Sequence, residues 1–529
     1  MKREVQMKLP PKKWHACLWA LIIFLFPICC WGNVSVNVPL GHWSYGAIDK
    51  LITLGLIRSA IYSTKPFTRF EMARLIKEAE TTLNKISRKG NEHLQRTHII
   101  PGIMARLEKE FCLDPRELEE DTGITCYIKP IEDIYLRYLH SEKDFSFEND
   151  KGQKYSEGSN WRVGFSTHGM LFNHLAFYIN PEWRYSKDQF GEDDNDITIL
   201  EGYAKAEWYN IEVEVGRDSM WWGPDQHGSL ILTNNAKPFD LIKISNPKPI
   251  LLPWFFRHLG LLKVVGFWSQ LEDNRYVPRA EFIGLRVNLK PFPFLEVGAS
   301  RTILLGGKGS RGAKGTTDLS ASEWLKILSG RNIGGRLDTN QIAGFDFLLR
   351  FPWADRFLGI FNSIDLWGEL YGEDEAASLP SKNGYVIGLR VGDIFLTGRT
   401  DLIIEYANNV IGGSPNLWYN HGVYRSGYRY EGRVMGHEMG SDARDLFLTL
   451  KHYIDPRIIL ELGYDYQKRG VQDPHPENRN RYDVSITWYQ SDECFLGGGY
   501  RYESIDNMDN VEGHGRKNHV LWVSLNYSL

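Results

Sequence analysis

Beyond residue 32 the chain has no run of roughly eighteen apolar residues, so its mature part holds no transmembrane helix. Cysteine is scarce, with six in 529 residues, and Cys17, Cys29 and Cys30 fall in the leader. A disulfide-dense scaffold is thereby excluded. The formal net charge of -4 is too small to imply a nucleic-acid partner. Catalytic signatures are missing as well. There is no G-x-S-x-G elbow and no H-E-x-x-H pair. Gly306, Gly307, Lys308 and Gly309 lack the strand–loop–helix setting of a phosphate loop. The run GHEMGSDARD places His437, Glu438 and Asp442 in a long loop without a helical period to converge them, so neither a metal site nor a cofactor is expected. With no catalytic residue to name, the chain reads as a binding or structural protein rather than an enzyme.

What is present begins with an export signal. Lys2, Arg3, Lys8, Lys12 and Lys13 form a basic head before the apolar run ACLWALIIFLFPICCWG. Pro27 and the polar sequence that follows suit a signal peptide over residues 1–32 better than a membrane anchor. A lipoprotein site at Cys29 or Cys30 fits less well, because Phe26, Pro27 and Ile28 are poor matches to the small residues it prefers. In an exported chain Cys112 and Cys126 are candidates for a bridge, with Cys494 left over; three separate thiols is the equal alternative.

Residues 33–128 begin with a helical period. WSYGAIDKLITLGLI sets Ile48, Leu51, Ile52 and Leu56 on one face, and Gly55 suits the helix end. TKPFTRFEMARLIKEAE starts a second helix with Thr68 as N-cap and Glu71 closing a capping box. A third helical run, TTLNKISRKGNEHLQ into IIPGIMARLEKEF, is expected to be interrupted at Pro101 and Gly102. The result is a small helical bundle. Pro66, Thr68, Arg69 and Glu71 resemble part of a surface-layer-homology repeat, of which one unit is visible.

From 129 to 529 the period switches to two. In RIILELGYDYQ, Ile458, Leu460, Leu462, Tyr464 and Tyr466 share one face, while Glu461, Asp465 and Gln467 share the other. Aromatics at 13% and 50 glycines accompany 24% charged residues and a negative mean hydropathy. Together these predict a mainly β chain, a transmembrane antiparallel β-barrel of about 18 strands with the bundle on its periplasmic side. The links after odd-numbered strands are long and polar: 143–159, 186–196, 218–236, 271–278, 302–339, 372–383, 409–442, 468–480 and 505–517. Those after even-numbered strands are short, except the apolar stretch 247–260. The wet faces supply Glu212, Glu214, Arg286, Asn288, Asp365, Glu369, Asp401, Glu405, Glu461, Asp465 and Arg501 to the interior. Paired carboxylates suggest a glycosidase, yet charged networks are ordinary lining for such a lumen.

Several strings are similar to the capsule assembly protein Wzi family. They are WWGPDQHGSL, FLEVGASR with the following GGKG, QIAGFDF, YGEDEAASLPS, YNHGVYRSGYRYEGRVMGHEMGSDAR and the terminal YSL, in matching order over nearly the whole mature chain. The resemblance implies an outer-membrane lectin with an 18-stranded barrel and a periplasmic bundle, a protein that holds capsular or exopolysaccharide at the cell surface beside the export machinery. Lipid and lipopolysaccharide would surround it as a monomer. The alternative is an outer-membrane pore for saccharides.

Glycan-binding candidates follow from chemistry. Pyranose faces pack on aromatic rings, while hydroxyls need polar partners. GRDSMWWGPDQHGSLILTNN offers Trp221 and Trp222 with Asp225, His227, Asn234 and Asn235, and Gly223 and Pro224 bend the chain. Adjacent tryptophans in an extended segment point oppositely, so one ring would stack and the other pack. Loop 302–339 carries Lys308, Arg311, Lys314, Lys326, Arg331 and Arg336 against fewer acids, a field suited to anionic glycans or lipopolysaccharide phosphates. Loop 409–442 adds Trp418, Tyr419, Tyr424, Tyr428 and Tyr430, and is long enough to fold inward.

Overall fold

The computed structural model describes residues 34–88, 99–111, 126–187, 193–310, 312–328, 335–352, 354, 359–376 and 379–529. The signal peptide, Arg311, Arg331 and the pairing of Cys112 with Cys126 lie outside the described residues.

Alternation along the strands builds the architecture. In the strand Ile211–Asp218, Ile211, Val213 and Val215 are 41%, 38% and 53% exposed, whereas Glu212 and Glu214 are 2% and 0%. Apolar residues therefore face outward and charges inward, the inverse of a soluble sandwich, and the exterior suits a bilayer. Eighteen antiparallel strands close into one barrel. The first, Asp133–Ser141, pairs with the last, Arg516–Ser528, so no edge is left for lipid to meet. Aromatic rings collect toward the two rims: Trp208, Tyr209, Trp488 and Tyr527 near the short turns, and Tyr138, Trp161, Tyr464 and Tyr482 nearer the long loops.

Two local expectations are corrected, and one link gains detail. Segment 372–383 is not a free loop: the strands Phe361–Ala376 and Leu379–Ile394 continue pairing through Glu375↔Pro380 to Ala376↔Leu379. Water on both faces of an extension beyond the bilayer removes the need for apolar alternation there. Pro101 and Gly102 do not interrupt a helix; they lie in the first turn of the helix Ile99–Phe111, where a proline's missing N–H costs nothing. The apolar link 247–260 carries a strand pair, Ile250–Leu251 with Leu261–Leu262, and a one-sided turn of 3-10 helix, Trp254–Leu259. Trp254 and Phe255 remain 71% and 67% exposed there.

The helical segment does more than sit beneath the barrel. Helix α1 (Ser44–Thr53), helix α2 (Arg69–Arg88) and helix α3 (Ile99–Phe111) share a core with Leu348, Trp367, Ile403, Tyr453 and Tyr489 of the wall. Thr68 caps α2 through its Oγ1, which accepts from Glu71 N at 3.1 Å. At the short-turn rim, Arg106 donates to the Pro456 carbonyl at 2.7 Å, and Lys109 pairs with Glu493. Helix α1 points its polar face into the lumen. Lys50 meets Asp401 at 2.7 Å, Asp49 meets Arg390 at 2.5 Å, and Arg390 donates to Thr53 at 2.9 Å.

The chain then crosses the lumen floor. Tyr62 and Ser63 donate their backbone N–H groups to Glu296 at 2.9 and 3.0 Å. Thr64 accepts from Arg286 Nε at 2.7 Å, and Arg286 reaches both oxygens of Asp346 at 2.7 and 2.9 Å. Arg286 and Asp346 are 1% and 4% exposed, so losing one strands the other in a dry interior. Replacing Arg286 by Met should destabilise the barrel by about 3–5 kcal/mol, and the double change with Asp346→Leu should recover most of it. The temperature at which the heat-modifiable folded band disappears on gels measures both.

Candidate functional site

Loop 218–236 leaves the outer end of the fifth strand and turns into the lumen. Trp221 and Trp222 form a two-residue strand paired with Lys65 and Thr64, so the loop from above meets the segment from below. Gly223 N donates to Ser63 O at 2.9 Å and extends that contact. At Gly223, φ is +142°, and a Cβ would stand 2.1 Å from Glu369 Oε1 and 2.6 Å from Asp225 Oδ2. Only glycine fits between those carboxylates. Two wall residues satisfy the next turn. Glu405 accepts the N–H groups of Gln226, His227 and Gly228 at 2.8, 3.2 and 3.0 Å, and Glu369 accepts Leu230 N and Ser229 Oγ, each at 2.8 Å.

Loop 409–442 closes over this turn. Tyr419 donates its hydroxyl to Leu230 O at 2.7 Å and accepts His437 N at 3.0 Å. Tyr428 bridges Ile231 O at 2.8 Å and Thr302 at 3.0 Å. Trp418 Nε1 donates to Lys382 O at 3.0 Å, and Asn235 Nδ2 to Val434 O at 2.9 Å.

These contacts correct the placement of most residues singled out above. Trp222, Trp418 and Tyr419 are 0% exposed, and Trp222 packs on Phe267 at 5.3 Å between ring centroids. Trp221, Asp225, His227, Asn234, Asn235 and Tyr424 are buried with them. The sequence brings rings and amides together as expected, but they lie buried inside the barrel between the infolded loops. The reason is the barrel's width: eighteen strands enclose more space than wall side chains can fill, and infolded aromatic loops occupy it.

The basic residues behave differently. Lys308 and Arg336 keep 64% and 48% of their side chains exposed, and Lys314 is exposed as well. Arg336 is held by Asp318 and Glu323, each at 3.0 Å, while Lys308 has one loose partner, Asp273, at 3.4 Å. Three loops meet beside Lys308. Its backbone N donates to Pro278 O at 2.7 Å, and Tyr276 N donates to Ser426 Oγ at 2.8 Å. Arg275 ties Gly427 O and Arg429 O, both at 3.1 Å. On this framework Tyr276 stays 58% exposed, and the exposed Arg425 guanidinium lies 4.8 Å from its ring. Sequence reasoning missed Tyr276 and Arg425. The string NRYVPR at 274–279 was their signal, an aromatic among cations in a short outer loop.

Electrostatics beneath this ledge are acidic. Burial pushes the Asp225 carboxyl well above the usual carboxylate range, and neighbouring Glu369 adds to it. Burial pulls the His437 imidazole down to about 4. At His227 burial also opposes the charge, but Asp445, Asp465 and Glu438 outweigh it and lift the imidazole to about 10. An acid whose folded pKa is raised binds its proton more tightly when folded. Stability is then lost as pH rises from the unfolded carboxylate value toward the folded one. Asp225→Asn should therefore raise the unfolding temperature at pH 8, change it little at pH 4, and flatten the slope between. Thermal unfolding in detergent across that range checks it.

Comparison with known proteins agrees with the barrel fold. A Klebsiella pneumoniae protein, uncharacterized, of 55.8 kDa and from the cps region, is 31% identical over 191 residues. That stretch is 35% of this chain, and it spans 35% of the relative's own length. Among solved structures, Escherichia coli Wzi, an outer-membrane carbohydrate-binding β-barrel involved in group 1 capsule assembly, superposes with a TM-score of 0.69 at 19% identity. The superposition covers 93% of this chain and 100% of that one, which establishes the shared fold. The pattern of the capsule assembly protein Wzi family matches residues 139–520, well over half of the sequence. The chain belongs to the capsule assembly protein Wzi family.

Proposed function

We propose that this protein is an outer-membrane lectin that binds capsular or exopolysaccharide and holds it at the cell surface during capsule assembly. Family membership supports that reading. The observation that carries it in this chain is the meeting of Trp221–Trp222 with Thr64–Lys65 in the lumen, which narrows the barrel and favours the outer loop surface for a polymer. That surface offers Tyr276, Arg425, Lys308 and Lys314. An exposed ring stacked by a guanidinium presents an apolar plate edged with positive charge, which suits uronic acids and other anionic sugars. Arg336 stands nearby with its charge largely spent on Asp318 and Glu323.

A role without catalysis suits the interior carboxylates. Glu405 and Glu369 accept backbone N–H groups, and Asp365 lies 3.3 Å from Arg390. None of these is placed across a cleft that a glycosidic bond could enter. The reading of the chain as a saccharide pore is disfavoured by the same packing, since helix α1 and loop 218–236 obstruct the lumen from opposite ends.

Three measurements test the proposal. Tyr276→Ala combined with Arg425→Ala should weaken co-sedimentation with the host's own surface polymer by about tenfold, near 1.4 kcal/mol, with the barrel still heat-modifiable. Unchanged binding removes the ledge from the site. In cells, deleting the protein should release polymer into the medium while synthesis continues, and absence of polymer would contradict retention. Planar bilayers should show no large steady current, whereas sustained conductance would favour the pore.

A further inference from the structure

Four acidic or imidazole side chains from separate parts of the chain converge below the outer loops. They are His227 of loop 218–236, Glu438 of loop 409–442, Asp445 of the strand Ala443–Asp455 and Asp465 of the strand Ile458–Arg469. One potential ligand atom from each lies within 4.8 Å of all the others. His227 Nε2 stands 3.6 Å from Asp445 Oδ2, 3.6 Å from Asp465 Oδ2 and 3.9 Å from Glu438 Oε1.

Those separations are informative. At 3.6 Å an N–H on Nε2 makes no proper hydrogen bond to either aspartate, and Nε2 is a buried atom without a hydrogen-bond partner. Asp465 Oδ1 is a second such atom. His227 is 8% exposed and Asp465 3%, so water does not readily compensate either. Ligand atoms about 2.1 Å from a tetrahedral cation are spaced about 3.4 Å apart along each edge. The gap between imidazole and carboxylates has that size.

The arginines around these carboxylates are shared among several acids. Arg481 is divided among Glu148, Glu438 and Asp465 at 3.0, 3.0 and 2.6 Å, and Glu503 at 3.2 Å. Arg469 reaches Glu438 Oε2 at 2.9 Å. Gln467 Nε2 donates to Asp445 at 2.7 Å and also bonds Glu438. Among the described residues Asp445 has no Arg or Lys partner. The His227 ring is fixed in position by Phe447, stacked at 4.1 Å and 7°.

We infer that His227, Glu438, Asp445 and Asp465 form a binding site for a divalent transition-metal ion such as zinc. One imidazole with three carboxylates suits such an ion better than calcium, which takes six to eight oxygen ligands. The ion would clasp both infolded loops to two adjacent strands. Its role is therefore structural: it fixes the plug on which the exposed ledge of Tyr276 and Arg425 rests, and it stands independently of glycan binding.

The test uses detergent-purified full-length protein washed with EDTA and titrated with zinc by calorimetry. Wild type should bind one equivalent and unfold at a higher temperature with zinc present. Asp445→Asn and His227→Gln should each lose at least about tenfold in affinity, in protein shown to be a folded barrel by heat-modifiability. Absence of stoichiometric binding by wild type, or equal binding by folded variants, overturns the site. Should the variants fail to fold, cobalt added to wild type decides. Intense visible absorption, displaced by zinc, supports a tetrahedral His–carboxylate site, and weak six-coordinate absorption overturns it.

Discussion

A peptide segment that crosses a barrel lumen has few strand neighbours to take up its N–H groups, and each one left unpaired in a dry interior costs free energy. Inward-facing carboxylates meet that need here. Glu296 accepts from Tyr62 and Ser63, Glu405 from Gln226, His227 and Gly228, and Glu369 from Leu230. Each acid is fixed on a strand, so each fixes the segment it receives. The same side chains that forbid lipid contact thus dictate where the plug lies.

From that arrangement the division of labour follows. Buried aromatic residues such as Trp222, Trp418, Tyr419 and Tyr428 give the plug volume and shape, and the polar atoms of Trp418, Tyr419 and Tyr428 reach carbonyls. In the proposed reading, recognition passes to side chains on the outer loops. Tyr276 and Arg425 come from different loops, yet Arg275 binds one loop to the other through two carbonyls, which presents the ring and the guanidinium together. A soft polymer is better held by a rigid shelf than by mobile loops, since less ordering accompanies contact.

Period-two alternation was enough to assign the barrel, because strands such as IEVEVGRD state inside and outside residue by residue. The N-cap at Thr68 was equally legible, being local, although the Glu71 carboxylate pairs with Arg74 rather than closing a capping box. Legibility failed where two separate segments meet. Trp221 and Trp222 look like a sugar platform in isolation, and only their pairing with Thr64 and Lys65 shows that they face the interior. His437 and Glu438 stand adjacent in sequence, but Glu438 joins His227, Asp445 and Asp465, while the His437 ring packs edge-on to His227 at 5.8 Å and stays outside the group. Tyr276 went unnoticed because a single aromatic in a short loop carries no pattern of its own.

The N-terminal segment lies inside a cylinder whose wall is made wholly from later parts of the chain, and the closing seam joins Asp133–Ser141 to Arg516–Ser528. Helix α1 bonds to wall residues far along the sequence, Lys50 to Asp401 and Asp49 to Arg390. Removing the segment would leave those inward charges without these partners, an electrostatic cost that falls on the wall itself.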